Sequence, residues 1–90
     1  MEQRKNAGYV ITYSIQCPRF EYVLGEKPGG YVTWYCKNGK EYYFGHYMTD
    51  PDVALLDLYE RVQDNIMCDI EYLKEKIAKK QGLSADTEEN

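Results

Sequence analysis

Hydrophobic and polar positions alternate along the first part of the chain. Tyr9, Ile11, Tyr13, Ile15 and Cys17 fall on one side of a period-two pattern, and Val10, Thr12, Ser14 and Gln16 fall on the other. That period, filled with β-branched and aromatic residues, predicts a half-buried strand. Pro18 ends it, because proline has no N–H to give to a ladder. Phe20–Leu24 reads as a short second strand with Phe20, Tyr22 and Leu24 on one face, and Lys27-Pro28-Gly29-Gly30 supplies a turn.

Two further runs, Tyr31–Lys37 and Lys40–Tyr47, flank Asn38-Gly39. Asn-Gly is the dipeptide that best accepts the two positive φ angles of a type I′ hairpin turn. A two-residue loop sets Lys37 opposite Lys40, Tyr35 opposite Tyr42, Thr33 opposite Phe44 and Tyr31 opposite His46. Those residues then share one face, and Val32, Trp34 and Cys36 share the other with Glu41, Tyr43 and Gly45.

The period then changes to that of a helix. Asp50 is a good N-cap, Pro51 fits the first helical position and Asp52 suits the positive end of the dipole. Leu55, Tyr59, Val62, Ile66, Ile70, Leu73 and Ile77 recur at spacings of three and four. Lys79 and Lys80 suit the C-terminal dipole, and Gly82 suits the stop.

These elements predict an α+β fold: a small antiparallel β-meander of three or four strands, packed on one long C-terminal α-helix. The chain forms a single domain, with the meander over 8–47, the helix over 51–80, and flexible segments at 1–7 and 83–90. Trp34 is expected to pack on Leu55, Leu58 and Val62, with Gly45 letting the helix approach closely. Alternation alone leaves the reverse open, in which Tyr31, Tyr35 and Phe44 meet the helix and Trp34 becomes a contact residue.

Length sharpens the helix. Thirty residues at the standard rise run about 45 Å, whereas a domain of this size is about 30 Å wide. No Gly or Pro lies between 52 and 81 to break it, although Asn65, Cys68 and Asp69 are weak helix formers. The apolar stripe is wide at first and narrows to a seam beyond Ile66. The second half therefore needs a partner surface, and a homodimer through Ile66, Ile70, Leu73 and Ile77 supplies one.

Composition excludes several classes. The 90 residues are 43% hydrophobic and 29% charged, which is ordinary for a folded globular domain. No apolar run approaches a membrane span and the first residues are polar, so neither a membrane anchor nor a signal peptide is expected. Residues 1–49 carry a net charge of +2 and residues 50–90 a net of −6, which disfavours nucleic acid as a partner. Three cysteines, Cys17, Cys36 and Cys68, with no secretory signal point to reduced thiols in a cytoplasmic setting. No cofactor motif occurs. A zinc site is disfavoured because there is no C-x-x-C, and the hairpin register puts Cys36 and His46 on opposite faces.

The candidate chemistry is correspondingly thin. His46 is the single histidine, and no spacing brings Ser14 or Thr12 to it, so a catalytic role centred on His46 is the weaker class and no catalytic residue is assigned. The rings are more informative. Ten tyrosines gather mostly in the strands, and Tyr31, Tyr35, Tyr42, Phe44 and His46 form a candidate binding face. Such a face suits protein contact, including self-association, or base stacking. An acidic helix stripe, Asp57, Glu60, Asp64, Glu71 and Glu75, is either a solvated surface or a mimic of a phosphate backbone.

The strings Glu21-Tyr22-Val23-Leu24-Gly25, Tyr31-Val32-Thr33-Trp34, Cys36-Lys37-Asn38-Gly39 and Tyr42-Tyr43-Phe44-Gly45-His46-Tyr47 carry a resemblance. With Ala54, Asp57-Leu58 and Arg61 at the helix start, they are similar to short uncharacterised proteins of conjugative and other mobile elements of Firmicutes. The resemblance covers about residues 20–62. It implies a small cytoplasmic accessory protein linked to mobile DNA, with no catalytic residues to carry over. The expected function is a non-catalytic protein–protein interaction module that self-associates through the distal helix or the aromatic sheet face. The alternative is an accessory protein acting on DNA-handling machinery, by acidic mimicry or by binding single strands.

Overall fold

The computed structural model describes residues 3–81. Five strands, β1 (Lys5–Asn6), β2 (Tyr9–Cys17), β3 (Phe20–Lys27), β4 (Gly30–Lys37) and β5 (Glu41–Met48), form one antiparallel sheet in sequence order. One helix, α1 (Pro51–Gln81), follows and packs across β3, β4 and β5. This is the α+β meander-and-helix fold, with one strand more than expected. Residues 5 and 6, read from the sequence as part of a frayed end, pair with β2. The segment 83–90 lies outside the described residues. No helix among the described residues is long and apolar enough to cross a membrane.

The sheet is not a flat two-faced ribbon, because three extra residues interrupt its ladders. In β2, Ile11 faces Gly25 but Tyr13 faces Leu24, which leaves Thr12 as a bulge. Alternation predicts one face for Tyr9 through Cys17, yet the bulge sends Tyr9 and Ile11 to one side and Ile15 and Cys17 to the other. In the last hairpin, Asn38 and Gly39 take φ of 58° and 73° as expected of the turn, with Lys40 N–H donating to Lys37 O. Lys40 is nevertheless extra, since Lys37 pairs with Glu41, Cys36 with Tyr42 and Tyr35 with Tyr43. A second irregularity at Phe44, whose φ is 57°, then sets Thr33 opposite His46. The expected pairings Tyr35–Tyr42, Thr33–Phe44 and Tyr31–His46 are thereby all corrected.

Two cores result. On one face Tyr9, Ile11, Val23, Val32, Trp34 and Cys36 are buried together, with Tyr42 against them. No helix among the described residues covers this face. The sheet curls over it, so that the Tyr9 ring of β2 and the Tyr47 ring of β5 meet at 6.1 Å and both stand on Trp34. Gly25 permits the tight curvature: a Cβ there would sit 3.1 Å from both Tyr9 Cβ and Val32 Cγ1. On the other face Phe20, Tyr22 and Leu24 meet Ala54, Leu58 and Val62, with Ile15, Tyr31, Tyr35 and Leu55 packed around them. The helix thus lies on the Tyr31 and Tyr35 face. Trp34 anchors a core, but not the one with Leu55, Leu58 and Val62.

A partly buried ion pair, Glu21 buried and Arg4 half-buried, ties the N-terminal stretch to β3. Arg4 grips Glu21 through two hydrogen bonds of 2.7 and 3.3 Å and also reaches the Cys36 sulfur. The Arg4 hydrogen bonds hold the Glu21 carboxyl below its ordinary value of 4.5, against the opposing effect of burial. Burial, with the Glu21 charge adding to it, pushes the Cys36 thiol up. Because the folded-state carboxyl titrates lower than the unfolded one, its contribution is complete above pH 4.5 and is lost as pH falls through the folded value. Urea unfolding from about pH 6 down to about pH 2 is expected to show a loss of stability that is shallower in Glu21→Gln. An unchanged pH slope in that variant would contradict the pairing.

The helix begins as its caps require: the Asp50 carboxylate accepts from the N–H groups of Asp52 and Val53. It runs unbroken through Asn65–Asp69. Asn65 donates to the Arg61 carbonyl and to the Tyr22 hydroxyl, and Asp69 lies 3.7 Å from Arg19, so these weak helix formers are tied in place. The outcome is elongated, 54 × 25 × 21 Å, with a radius of gyration of 17.3 Å. A compact chain of this length has a radius of about 12 Å. The helix projects past the sheet.

Candidate functional site

The five residues expected to share a binding face do not share one. Tyr31 is half-buried under the helix start, and Tyr35 packs between Tyr22 on β3 and the Tyr43 and Phe44 rings of β5. Tyr42 lies on the opposite face, its ring 5.3 Å from Trp34, and burial pushes its phenol up. Phe44 stands 74% exposed at the bulge, in the left-handed region that a bulky side chain seldom occupies. His46 returns to the helix side. Two extra residues in one hairpin cancel in parity, so His46 shares a face with Thr33 and lies opposite Cys36 despite the altered register.

His46 belongs to a polar cluster between sheet and helix. Its Nδ1 lies 3.0 and 3.1 Å from the two carboxylate oxygens of Asp57. A carboxylate only accepts, so Nδ1 carries the proton in that contact. Thr33, fully buried at the centre of β4, donates its hydroxyl to Asp57 at 2.5 Å. Arg61 donates to the Thr33 hydroxyl and to its carbonyl, and its guanidinium stacks 4.9 Å over the Tyr22 ring. The order is hydroxyl–carboxylate–imidazole, whereas a nucleophilic triad needs the imidazole between the other two. Thr33 already gives its proton to Asp57 and is sealed from solvent, so it is not placed to act as a nucleophile for His46. What the cluster does is fasten α1 to β4 and β5.

Sequence reasoning overlooked Thr33, Asp57 and Arg61 as a unit. The sequence pattern places Asp57 in an acidic stripe, whereas both of its carboxylate oxygens are occupied by Thr33 and His46. The available signal was Thr33, a hydroxyl amid buried positions with His46 on the same face and an Asp and Arg one helical turn apart beneath.

Two concavities lie elsewhere on the surface, and neither is lined by this cluster. One of about 590 Å³ lies at the turn end of the sheet, where Arg4, Arg19 and Lys37 gather. Arg4 is spent on Glu21, while Arg19 stacks on Tyr72 and reaches Asp69. Another, about 380 Å³, runs between the helix start and β2, with Tyr13, Tyr31 and Tyr59 along it and the Tyr13 and Tyr59 hydroxyls 3.5 Å apart. Among the described residues, no three His, Cys, Asp or Glu side chains are grouped to hold a metal ion.

The distal helix carries an exposed apolar stripe. Ile66, Ile70, Leu73 and Ile77 are each between 40% and 50% exposed. At about 100° per residue they fall within about 60° of one another, forming one stripe. Contiguous apolar stripes of this kind mark contact surfaces. No protein-family model, curated protein or solved structure matches the chain.

Proposed function

We propose that the chain is a non-catalytic protein–protein interaction module that self-associates through its distal helix. The observation that carries this reading is the exposed Ile66–Ile70–Leu73–Ile77 stripe on a helix that outruns its own sheet. A lone helix of that length in water draws little stability from propensity; its apolar stripe gains by burial against another surface. The rings support contact through the distal helix rather than through one aromatic face, because they are divided between two cores and a bulge. The acidic stripe offers less to a basic partner than its sequence suggests, with Asp57 occupied by Thr33 and His46.

The test is the solution mass by size exclusion with light scattering, at concentrations about a hundredfold apart. Dimer mass is expected at the higher concentration, and Ile70→Asp is expected to weaken association at least about a hundredfold while leaving the monomer folded, since a buried charge in the seam costs several kcal/mol. Monomer mass throughout for the native chain would refute the proposal.

A further inference from the structure

We infer that two copies pair antiparallel along residues 63–80, the acidic half of each distal helix lying on the basic half of the other. This rests on the self-association reading and names its geometry.

The charge along the helix is polar in the literal sense. Residues 62–71 contain Asp64, Asp69 and Glu71 and no basic group, whereas residues 72–81 contain Lys74, Lys76, Lys79 and Lys80 against Glu75 alone. A parallel pair stacks acid on acid and base on base. An antiparallel pair stacks opposite signs over the whole overlap, within the Debye length of about 8 Å at physiological salt.

The seam has the symmetry this arrangement needs. Read as a heptad, the inward positions are Gln63, Ile66, Ile70, Leu73, Ile77 and Lys80. Reversing the partner about the midpoint sets Ile66 against Ile77 of the other copy and Ile70 against its Leu73, so apolar meets apolar throughout. The two polar ends then meet each other, Gln63 with Lys80. In a parallel pair Lys80 would face Lys80 in the last layer, a like-charge contact. On the flank of the seam Asp69 and Lys76 fall on the same side, and in the antiparallel register each meets the other across the dyad, twice. Cys68 lies on the far side of the helix from the seam, about 190° from its centre, so native thiols do not mediate this pairing.

The overlap is long enough to matter. Residues 63–80 span about 26 Å, close to five turns of helix, beyond the helix's densest contacts with the sheet. The two sheets are then carried toward opposite ends of the assembly rather than side by side.

The test uses the full chain with Cys68→Ser in the background and two single variants, Ile66→Cys and Ile77→Cys, distinguished by a small mass tag. Each is oxidised alone and as a mixture, with the solution mass measured in parallel. Antiparallel pairing predicts a disulfide-linked heterodimer in the mixture and at least about tenfold less linked product from either variant alone. Each variant linking to itself shows parallel pairing and overturns the inference while self-association stands. Dimer mass without linkage in any sample places the contact elsewhere and overturns it as well. Monomer mass at every concentration in the native chain removes both this geometry and the reading beneath it. Salt gives an independent readout: raising it from about 0.05 M to about 1 M is expected to weaken association, whereas a parallel, like-on-like pair would be strengthened.

Discussion

Trp34→Ala is expected to destabilise the fold by about 3–5 kcal/mol, the usual cost of deleting a buried indole. Domains of this size hold about 5–15 kcal/mol in total, so the variant is expected to unfold at little or no urea. The residue is 3% exposed and touches the rings of Tyr9, Tyr42 and Tyr47. It has Gly25 and Gly45 beneath it, where any Cβ would crowd its ring, so the neighbours are poorly placed to collapse into the hole. The distinctive part of the expectation is its independence from the helix. Trp34 and Leu58 belong to separate cores on opposite faces. Milder changes, Trp34→Phe and Leu58→Val, are therefore expected to add within about 0.5 kcal/mol in urea titrations. Strong coupling between them would mean that Trp34 packs on the helix after all.

That misassignment shows what the pattern of residues conveys and what it hides. Turns and caps were legible because each rests on a local chemical preference. Asn38-Gly39 adopts its two positive φ angles, and Asp50 caps the helix with its own carboxylate. The helix and its exposed seam were legible for the same reason: nothing between 52 and 81 interrupts the period, and the sheet is too short to cover it. Face assignment was not legible, because it depends on parity carried over many residues. One bulge at Thr12 reverses half of β2, and Lys40 together with Phe44 shifts β5 by a full pairing. A five-stranded sheet that buries a core on each face must curl, and bulges are how it does so. Period-two reasoning assumes they are absent. The candidate site suffered most: Tyr31, Tyr35, Tyr42, Phe44 and His46 share one face in the unbulged register, whereas in the real one Tyr42 crosses to the Trp34 side and Phe44 stands out at a bulge. Arg4 was lost for a different reason, since a short polar N-terminal stretch carries no periodic signal, yet its guanidinium is the partner that makes a buried Glu21 tolerable.

Asp57→Ala is expected to cost about 1–3 kcal/mol, out of proportion to a residue on the flank of a surface helix. The reason is what it leaves behind. Thr33 is wholly inaccessible, and its hydroxyl would lose the carboxylate that accepts its proton. His46 would lose its partner as well, at little further cost because half of its side chain remains in water. The hydrogen-bond argument makes a sharper forecast than the single variant. Adding Thr33→Val to Asp57→Ala removes the orphaned hydroxyl and replaces it with a methyl group of similar shape, so the double variant is expected to be more stable than Asp57→Ala alone. Arg61 keeps the Thr33 carbonyl as an acceptor in both. Equilibrium unfolding of the two single variants and the double variant closes the cycle, and simple additivity would mean that Thr33 and Asp57 do not work as a unit. The consequence reaches the far end of the molecule. Leu58 and Val62 hold α1 against the sheet without directional preference, whereas Asp57 and Arg61, gripping Thr33 from adjacent turns, set its rotation. A rotation fixed there decides which stripe of the distal helix faces away from the sheet, and hence where a second copy finds Ile66, Ile70, Leu73 and Ile77.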